Sequence, residues 1–185
     1  MHRKTSQDQL LSLLLRTAGG DRRAFQDLYE ATHHRLTVYL YRLLRDRSRI
    51  EDILVETYTE VWRCSTRFRQ QSAVMTWMIG IARNIALRDL NRTTYHDPID
   101  DHPELASPGP DHCALDRKEI LNRALGHLSA KHREILDLAF YQDLPYREIA
   151  GLIGIPENTV KSRVFHAKAS LARVLKRMGI RQDDL

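Results

Sequence analysis

Residues 93–113, TTYHDPIDDHPELASPGPDHC, hold four of the six prolines of the chain and the acids Asp97, Asp100, Asp101, Glu104 and Asp111, with no Lys or Arg. Proline removes a backbone donor and fixes φ, and a run of like charges with few large apolar residues has nothing to bury. Such a stretch reads as a linker, with its acidic character taken over residues 93–114. It divides the 185 residues into two parts, each of which must build its own core. On both sides the apolar residues recur at spacings of three and four, and no alternating run is long enough for a strand. The expected fold is therefore all-α: two small helical domains joined by an acidic flexible linker.

In the first part, Leu10, Leu11, Leu13, Leu14 and Leu15 follow Arg3 and Lys4. The cluster is too short to cross a bilayer and no small-residue cleavage site follows it, so residues 1–20 are predicted to be an amphipathic N-terminal helical extension, with no stable membrane insertion. From Asp21, a helix-capping residue type, to Asp46 the residues Phe25, Leu28, Tyr29, Leu36, Tyr39, Leu40 and Leu43 mark a long amphipathic helix. Ser48 and Glu51 have the spacing of a capping box. Ile50, Leu54, Tyr58, Val61 and Ser65 then trace the inner face of the next helix, and Asp52, Glu56, Glu60 and Arg63 its polar face. After a polar loop, 69–72, a third helix is predicted from about Ala73 to Arg92, with Val74, Met78, Ile81 and Ile85 inward. Helices this close in sequence form one bundle over residues 21–92.

The second part, residues 115–178, places Leu121, Leu125, Leu128, Ile135, Leu138 and Ala139 inward and then reads EIAGLIGIPENTVKSRVFHAKASL from Glu148. Small Ala150 permits close helix approach, Gly154 supplies a turn, and Pro156 starts a second helix where its missing N–H costs nothing. At about 100° per residue, Val160, Val164, Ala167 and Leu171 fall on one stripe, the buried one. This is a helix-turn-helix pattern, whose second helix enters a major groove. Phe165 lies off the buried stripe, beside Lys161 and Ser162. An exposed ring there touches thymine methyls, while Lys161 and Lys168 reach phosphates or guanine edges. The alternative is packing of Phe165 on Leu144 within an ordinary solvated face.

The net charge of +5 and isoelectric point near 9.4 favour a polyanionic partner. Cys64 and Cys113 stand alone, with no paired spacing, which supports neither a disulfide framework nor a zinc site and fits a reducing cytoplasm. His33-His34, His112-Cys113 and the scattered carboxylates form no metal or acid/base constellation, and no glycine-rich phosphate loop is present, so no catalytic residue, metal or cofactor is expected.

LNRALGHLSAKHREILDLAFYQDLPYREIAGLIGIPENTVKSRVFHAKASL resembles region 4 of bacterial sigma factors of the extracytoplasmic-function group. AFQDLYEATHHRLTVYLYRLLRDRSRIEDILVETYTEVWRCSTRF, followed by TWMIGIARNIALRDLNR, resembles their region 2. The resemblance implies a promoter-specificity subunit of RNA polymerase that assists promoter melting. Region 2 (21–92) would bind the minus-10 element with Phe68, Trp77, Arg83, Asn84, Arg88 and Arg92, an aromatic and an amide being suited to holding a flipped base. Phe68 is equally well explained as a helix-end core residue, and Trp77 as the residue that holds the loop. Region 4 (115–178) would read the minus-35 element with Glu157, Asn158, Thr159, Lys161, Ser162, Phe165, His166 and Lys168.

Asp52, Glu56, Glu60 and Arg63 lie where the family docks on the clamp helices of core RNA polymerase, with the polymerase flap as the further contact. Val55 stands where the family usually has Gln, and His166 where many relatives have Arg. The linker matches the family's acidic tether through the RNA exit path, and a solvated spacer has the same composition. The implied partners are core polymerase, promoter DNA and an anti-sigma factor. The implied place is the cytoplasm, on the nucleoid through polymerase or held at the membrane by that anti-sigma factor. Two other functions share parts of the pattern: a sigma mimic that sequesters an anti-sigma factor without binding DNA, and a helix-turn-helix regulator with an unrelated sensor.

Overall fold

The computed structural model describes residues 6–44, 46, 48–94 and 117–180. Among them are eight α-helices and no strand: α1 Gln7–Ala18, α2 Arg22–Leu44, α3 Ile50–Cys64, α4 Val74–Thr94, α5 Arg117–Gly126, α6 Ala130–Leu136, α7 Tyr146–Ile153 and α8 Glu157–Arg177. They fall into two compact units, the first built on α1–α4 and the second on α5, α6 and α8. The acidic segment beyond Thr94, residues 95–114, lies outside the described residues, as do Cys113 and Leu115.

In the first unit, α1 opens with a capping box in which Ser6 and Gln9 satisfy each other's backbone N–H groups, and it buries Leu10, Leu14 and Thr17. Leu15 is 50% exposed, so only part of the leucine cluster is core. Asp21 caps α2 as predicted: its Oδ1 accepts the N–H groups of Arg23 and Ala24, both at 3.0 Å, and its Oδ2 accepts Arg16 at 2.6 Å. The Ala24 N–H first, and then Arg16, hold this carboxyl below its ordinary value of 3.8.

Along α2 the buried residues Ala24, Leu28, Thr32, Leu36 and Leu40 repeat every four positions, with Tyr39 beside them. Tyr29 stays exposed and Leu43 half-buried, off that stripe. Thr32 is the polar member of the stripe. Its hydroxyl donates to the Leu28 carbonyl at 2.7 Å and shares a 2.8 Å hydrogen bond with the Tyr58 hydroxyl. Burial pushes the Tyr58 phenol upward, so it stays neutral.

α3 buries Ile50, Leu54, Tyr58, Val61 and Ser65 as expected, and Ile53 and Thr57 widen the stripe. The Ser48–Glu51 capping box does not form. Arg49 occupies the cap position with helical backbone angles and no side-chain cap. Both the N–H and the hydroxyl of Ser48 instead donate to Asp46 Oδ1, at 2.9 and 2.7 Å. A carboxylate two residues back is the stronger, charge-assisted acceptor, and it closes a local turn at the expense of the cap. α4 buries Val74, Met78 and Ile85, while Ile81 is only half-buried. α4 packs against α1, α2 and α3, and its inner stripe is accordingly wide, taking in Met75, Ile79, Ala82 and Ala86.

In the second unit Ala124 and Leu125 are buried but Leu121 is 37% exposed, which corrects its assignment to the core. Ser129 caps α6, accepting the His132 N–H at 3.3 Å. The helix then widens into a π-helical segment, Asp137–Tyr141, absent from the sequence reading. Around it Arg133, Asp137 and Gln142 are buried together; Gln142 donates to Asp137 at 3.2 Å and Arg133 to the Leu128 carbonyl at 3.2 Å. Gly154 turns the chain with φ +70°, a left-handed conformation that costs glycine least. Pro156 is the cap of α8, so the helix starts at Glu157, one residue later than predicted, and the proline carbonyl accepts the N–H groups of Thr159 and Val160. Val160, Val164 and Ala167 are buried and Leu171 half-buried.

Candidate nucleic-acid interfaces

Burial of Val160, Val164 and Ala167 fixes the rotation of α8. It turns Glu157, Asn158, Thr159, Lys161, Ser162, Phe165, His166 and Lys168 outward, and all are exposed. Phe165 is 69% exposed and Leu144 is buried at 7%, so the ring is not a core residue. Its edge meets His166, with centroids 5.6 Å apart. Leaving a phenyl in water forgoes about 1.5–3 kcal/mol of burial.

The charges around the ring are held in place. Lys161 Nζ lies 3.1 Å from Glu157, and Lys168 Nζ sits 4.4 Å over the ring of Phe140, itself 55% exposed. Ser162 donates to the Thr159 carbonyl at 3.1 Å, which leaves its lone pairs outward. The face therefore offers an apolar ring, hydroxyls and two cations, groups that complement thymine methyls, base edges and phosphates.

On the first unit, Phe68 follows the 3₁₀ turn Ser65–Arg67 and packs against Trp77, with centroids 5.2 Å apart, the planes tilted at 53° and both rings half-buried. The loop bends through Gln70 at φ +54°, a conformation uncommon outside glycine. Along α4, Asn84, Arg88 and Arg92 are exposed and Arg83 is half-buried.

On α3, Asp52, Glu56 and Arg63 are exposed and Glu60 is half-buried. Arg88 donates to Glu56 at 2.9 Å, and Arg49 pairs with Asp89. Asp52, Glu56, Arg88 and Arg92 all line one cleft of about 130 Å³ between α3 and α4. The acids expected to face polymerase and two of the arginines expected to face DNA thus share a single rim. Farther along α3, Glu60 accepts the Cys64 thiol at 2.9 Å and lies 3.5 Å from Arg63. That hydrogen bond to Glu60 pushes the thiol upward, so Cys64 is not an activated nucleophile.

The sequence reading missed an aromatic cleft of about 680 Å³ between α2 and α3, lined by Phe25, Tyr29, Tyr58 and Trp62 beside Val55. Phe25 meets Trp62 edge-on at 5.1 Å, Tyr29 meets Tyr58 at 4.7 Å, and Val55 is 69% exposed. The signal was present: Val55 is an apolar residue beside Glu56, off the buried stripe of its helix.

Residues 28–94 match the family described as Sigma-70 region 2, and residues 118–171 the family described as Sigma-70, region 4. The chain is 29% identical over 159 residues to the ECF RNA polymerase sigma factor SigL of Mycobacterium tuberculosis, covering 83% of this chain and 89% of that one. It is 27% identical over 186 residues to the RNA polymerase sigma-H factor of Pseudomonas aeruginosa, covering 92% and 96%.

Its fold is similar to that of the sigma factor RpoE of Bartonella quintana, solved with the anti-sigma factor NepR (TM-score 0.68, 23% identity, 82% and 96% covered). It is similar also to CnrH, solved with the cytosolic domain of CnrY (TM-score 0.67, 21% identity, 91% and 98% covered). Two helical units, a helix-turn-helix that exposes Phe165 among cations in the second, and matched regions 2 and 4 in that order converge on one conclusion: this chain belongs to the sigma-70 family of RNA polymerase sigma factors, in its extracytoplasmic-function group.

Proposed function

We propose that the first unit binds core polymerase and the minus-10 element while α8 of the second reads the minus-35 element. The observation that carries this reading is Phe165, exposed among Lys161, Ser162, His166 and Lys168 on a helix whose opposite ridge is buried. A phenyl kept in water at that position has a use once it meets a major groove. On the first unit, Asn84 takes the edge of an unstacked base, the Phe68–Trp77 pair shapes the loop that holds it, and Arg83, Arg88 and Arg92 take phosphates. Asp52, Glu56, Glu60 and Arg63 face the clamp helices, and the flap contacts the second unit. The chain itself catalyses nothing; polymerase performs the chemistry.

No described helix is long and apolar enough to cross a membrane. The protein works in the cytoplasm, where an anti-sigma factor that engages both units keeps it from polymerase. The structure of the sigma factor RpoE with the anti-sigma factor NepR supports this partner class.

The test is transcription from sheared genomic DNA of the source organism by core polymerase, with and without this chain. New start sites that share two spaced upstream motifs are the expected result. Stable binding to polymerase or to an anti-sigma factor with no new start would overturn promoter reading in favour of a sigma mimic.

A further inference from the structure

A second basic surface adjoins the reading face of α8 without belonging to it. Two clefts, of about 470 and 740 Å³, run between α6 and α8 and share His132, Ser170 and Arg173. The first begins at Thr159, Ser162 and His166 of the reading face and takes in Arg163; the second continues past Lys176 and Arg177 near the end of the helix. No carboxylate is among the residues that line either cleft. Elsewhere in this unit two exposed cations sit against acids, Lys161 on Glu157 and Arg123 on Glu119. Arg173 donates instead to a neutral hydroxyl, Ser170 Oγ at 3.1 Å, which holds its guanidinium over the groove.

An open groove with several fixed or flexible cations, hydroxyl donors and no acid is costly in self-repulsion unless a polyanion covers it. Because it is continuous with the reading face, a duplex seated on Phe165 extends its backbone along it. We propose that the α6–α8 groove is a phosphate track. In this role Arg163, Arg173, Lys176 and Arg177, with His132 and Ser170, hold the sugar-phosphate backbone flanking the minus-35 element and add affinity without sequence preference. The inference rests on the placement of DNA against α8 proposed above.

The test uses the full chain with the charge-neutral triple substitution Arg173→Gln, Lys176→Gln, Arg177→Gln, all at exposed positions. Binding is measured on a nonspecific 30-base-pair duplex and, as holoenzyme, on a promoter identified by the transcription assay, across a salt series. Each lost phosphate contact lowers the slope of log K against log[salt] by about 0.9, so the triple variant should lose two to three units of slope on both duplexes. Discrimination between the promoter and a mutated minus-35 element should be unchanged. The variant Arg173→Lys, which keeps the charge, should restore part of the slope, and an unchanged circular dichroism melt excludes misfolding.

An unchanged slope on both duplexes overturns the phosphate track. An unchanged slope together with lost binding to an acidic protein assigns the groove to a protein partner and overturns it equally. Failure of base reading itself shows separately, as Phe165→Ala without effect on discrimination while the triple variant still loses slope.

Discussion

At the scale of single residues, substitutions at Phe165 and Lys161 test the proposed reading and holding of DNA separately. Phe165 brings no charge to the face, so Phe165→Ala should reduce preference for the matched minus-35 element by roughly 5–150-fold, equivalent to about 1–3 kcal/mol for a base contact, and leave the salt slope unchanged. Equal loss on all sequences would remove its base-reading role. Lys161→Ala should lower the salt slope by about one and weaken matched and mismatched sites alike. Its pairing with Glu157, both side chains being about half exposed, is weak enough to exchange for a phosphate.

A different residue pair decides stability. Tyr58→Phe removes one buried hydrogen bond but leaves the Thr32 hydroxyl on the Leu28 carbonyl, so denaturant unfolding should show a loss of about 1 kcal/mol. Thr32→Val strands the buried Tyr58 hydroxyl and should cost more, about 1–3 kcal/mol. The Thr32–Tyr58 bond was not legible in the sequence, because Thr32 and Tyr58 lie on different helices and meet only when α2 packs on α3.

At the scale of elements, the ends of helices carried their own signals unevenly. Asp21 was recognised as the cap of α2 because nothing nearby competes with the N–H groups of Arg23 and Ala24. The Ser48–Glu51 box was misread because Asp46 takes the serine, a competition that a four-residue motif does not encode. Since the folded Asp21 carboxyl is held below its ordinary value, its contribution to stability is fully present above that value and is lost as pH falls through the lower folded one. Asp21→Asn keeps a capping side chain but removes the carboxylate, so it should lower stability at neutral pH and flatten the acid limb of a stability-versus-pH curve below about pH 4.

The α3–α4 rim makes a complementary case. Glu56 and Arg88 are both more than half exposed, so Arg88→Ala should change stability by less than about 0.5 kcal/mol. If Arg88 turns to phosphate in the promoter complex, the same variant should weaken open-complex formation measurably; no kinetic effect would return Arg88 to the rim as a partner of Glu56 alone. The apolar stripes of α2 and α8 were legible because their buried residues keep to a narrow helical ridge, whereas α4 buries Val74, Met75, Met78, Ile79, Ala82, Ile85 and Ala86 and its burial outran a single-face reading.

At the scale of the whole molecule, two units with separate cores should not unfold as one. Calorimetry should give a van't Hoff enthalpy below the calorimetric one, with Tyr58→Phe lowering only one of two transitions. A single two-state transition unaffected in shape by Tyr58→Phe would contradict that division.

The sequence by itself determined the division into two helical parts, the helix-turn-helix and the outward placement of Phe165. Those follow from composition and from local periodicity, both properties of neighbours along the chain. Tertiary structure alone decided that Glu56 meets Arg88, that Phe68 packs against Trp77, and that α6 and α8 leave a groove of cations without an acid. Each of these joins residues distant in sequence, whose distances depend on how helices cross, and that crossing is set by the fit of all the buried side chains at once.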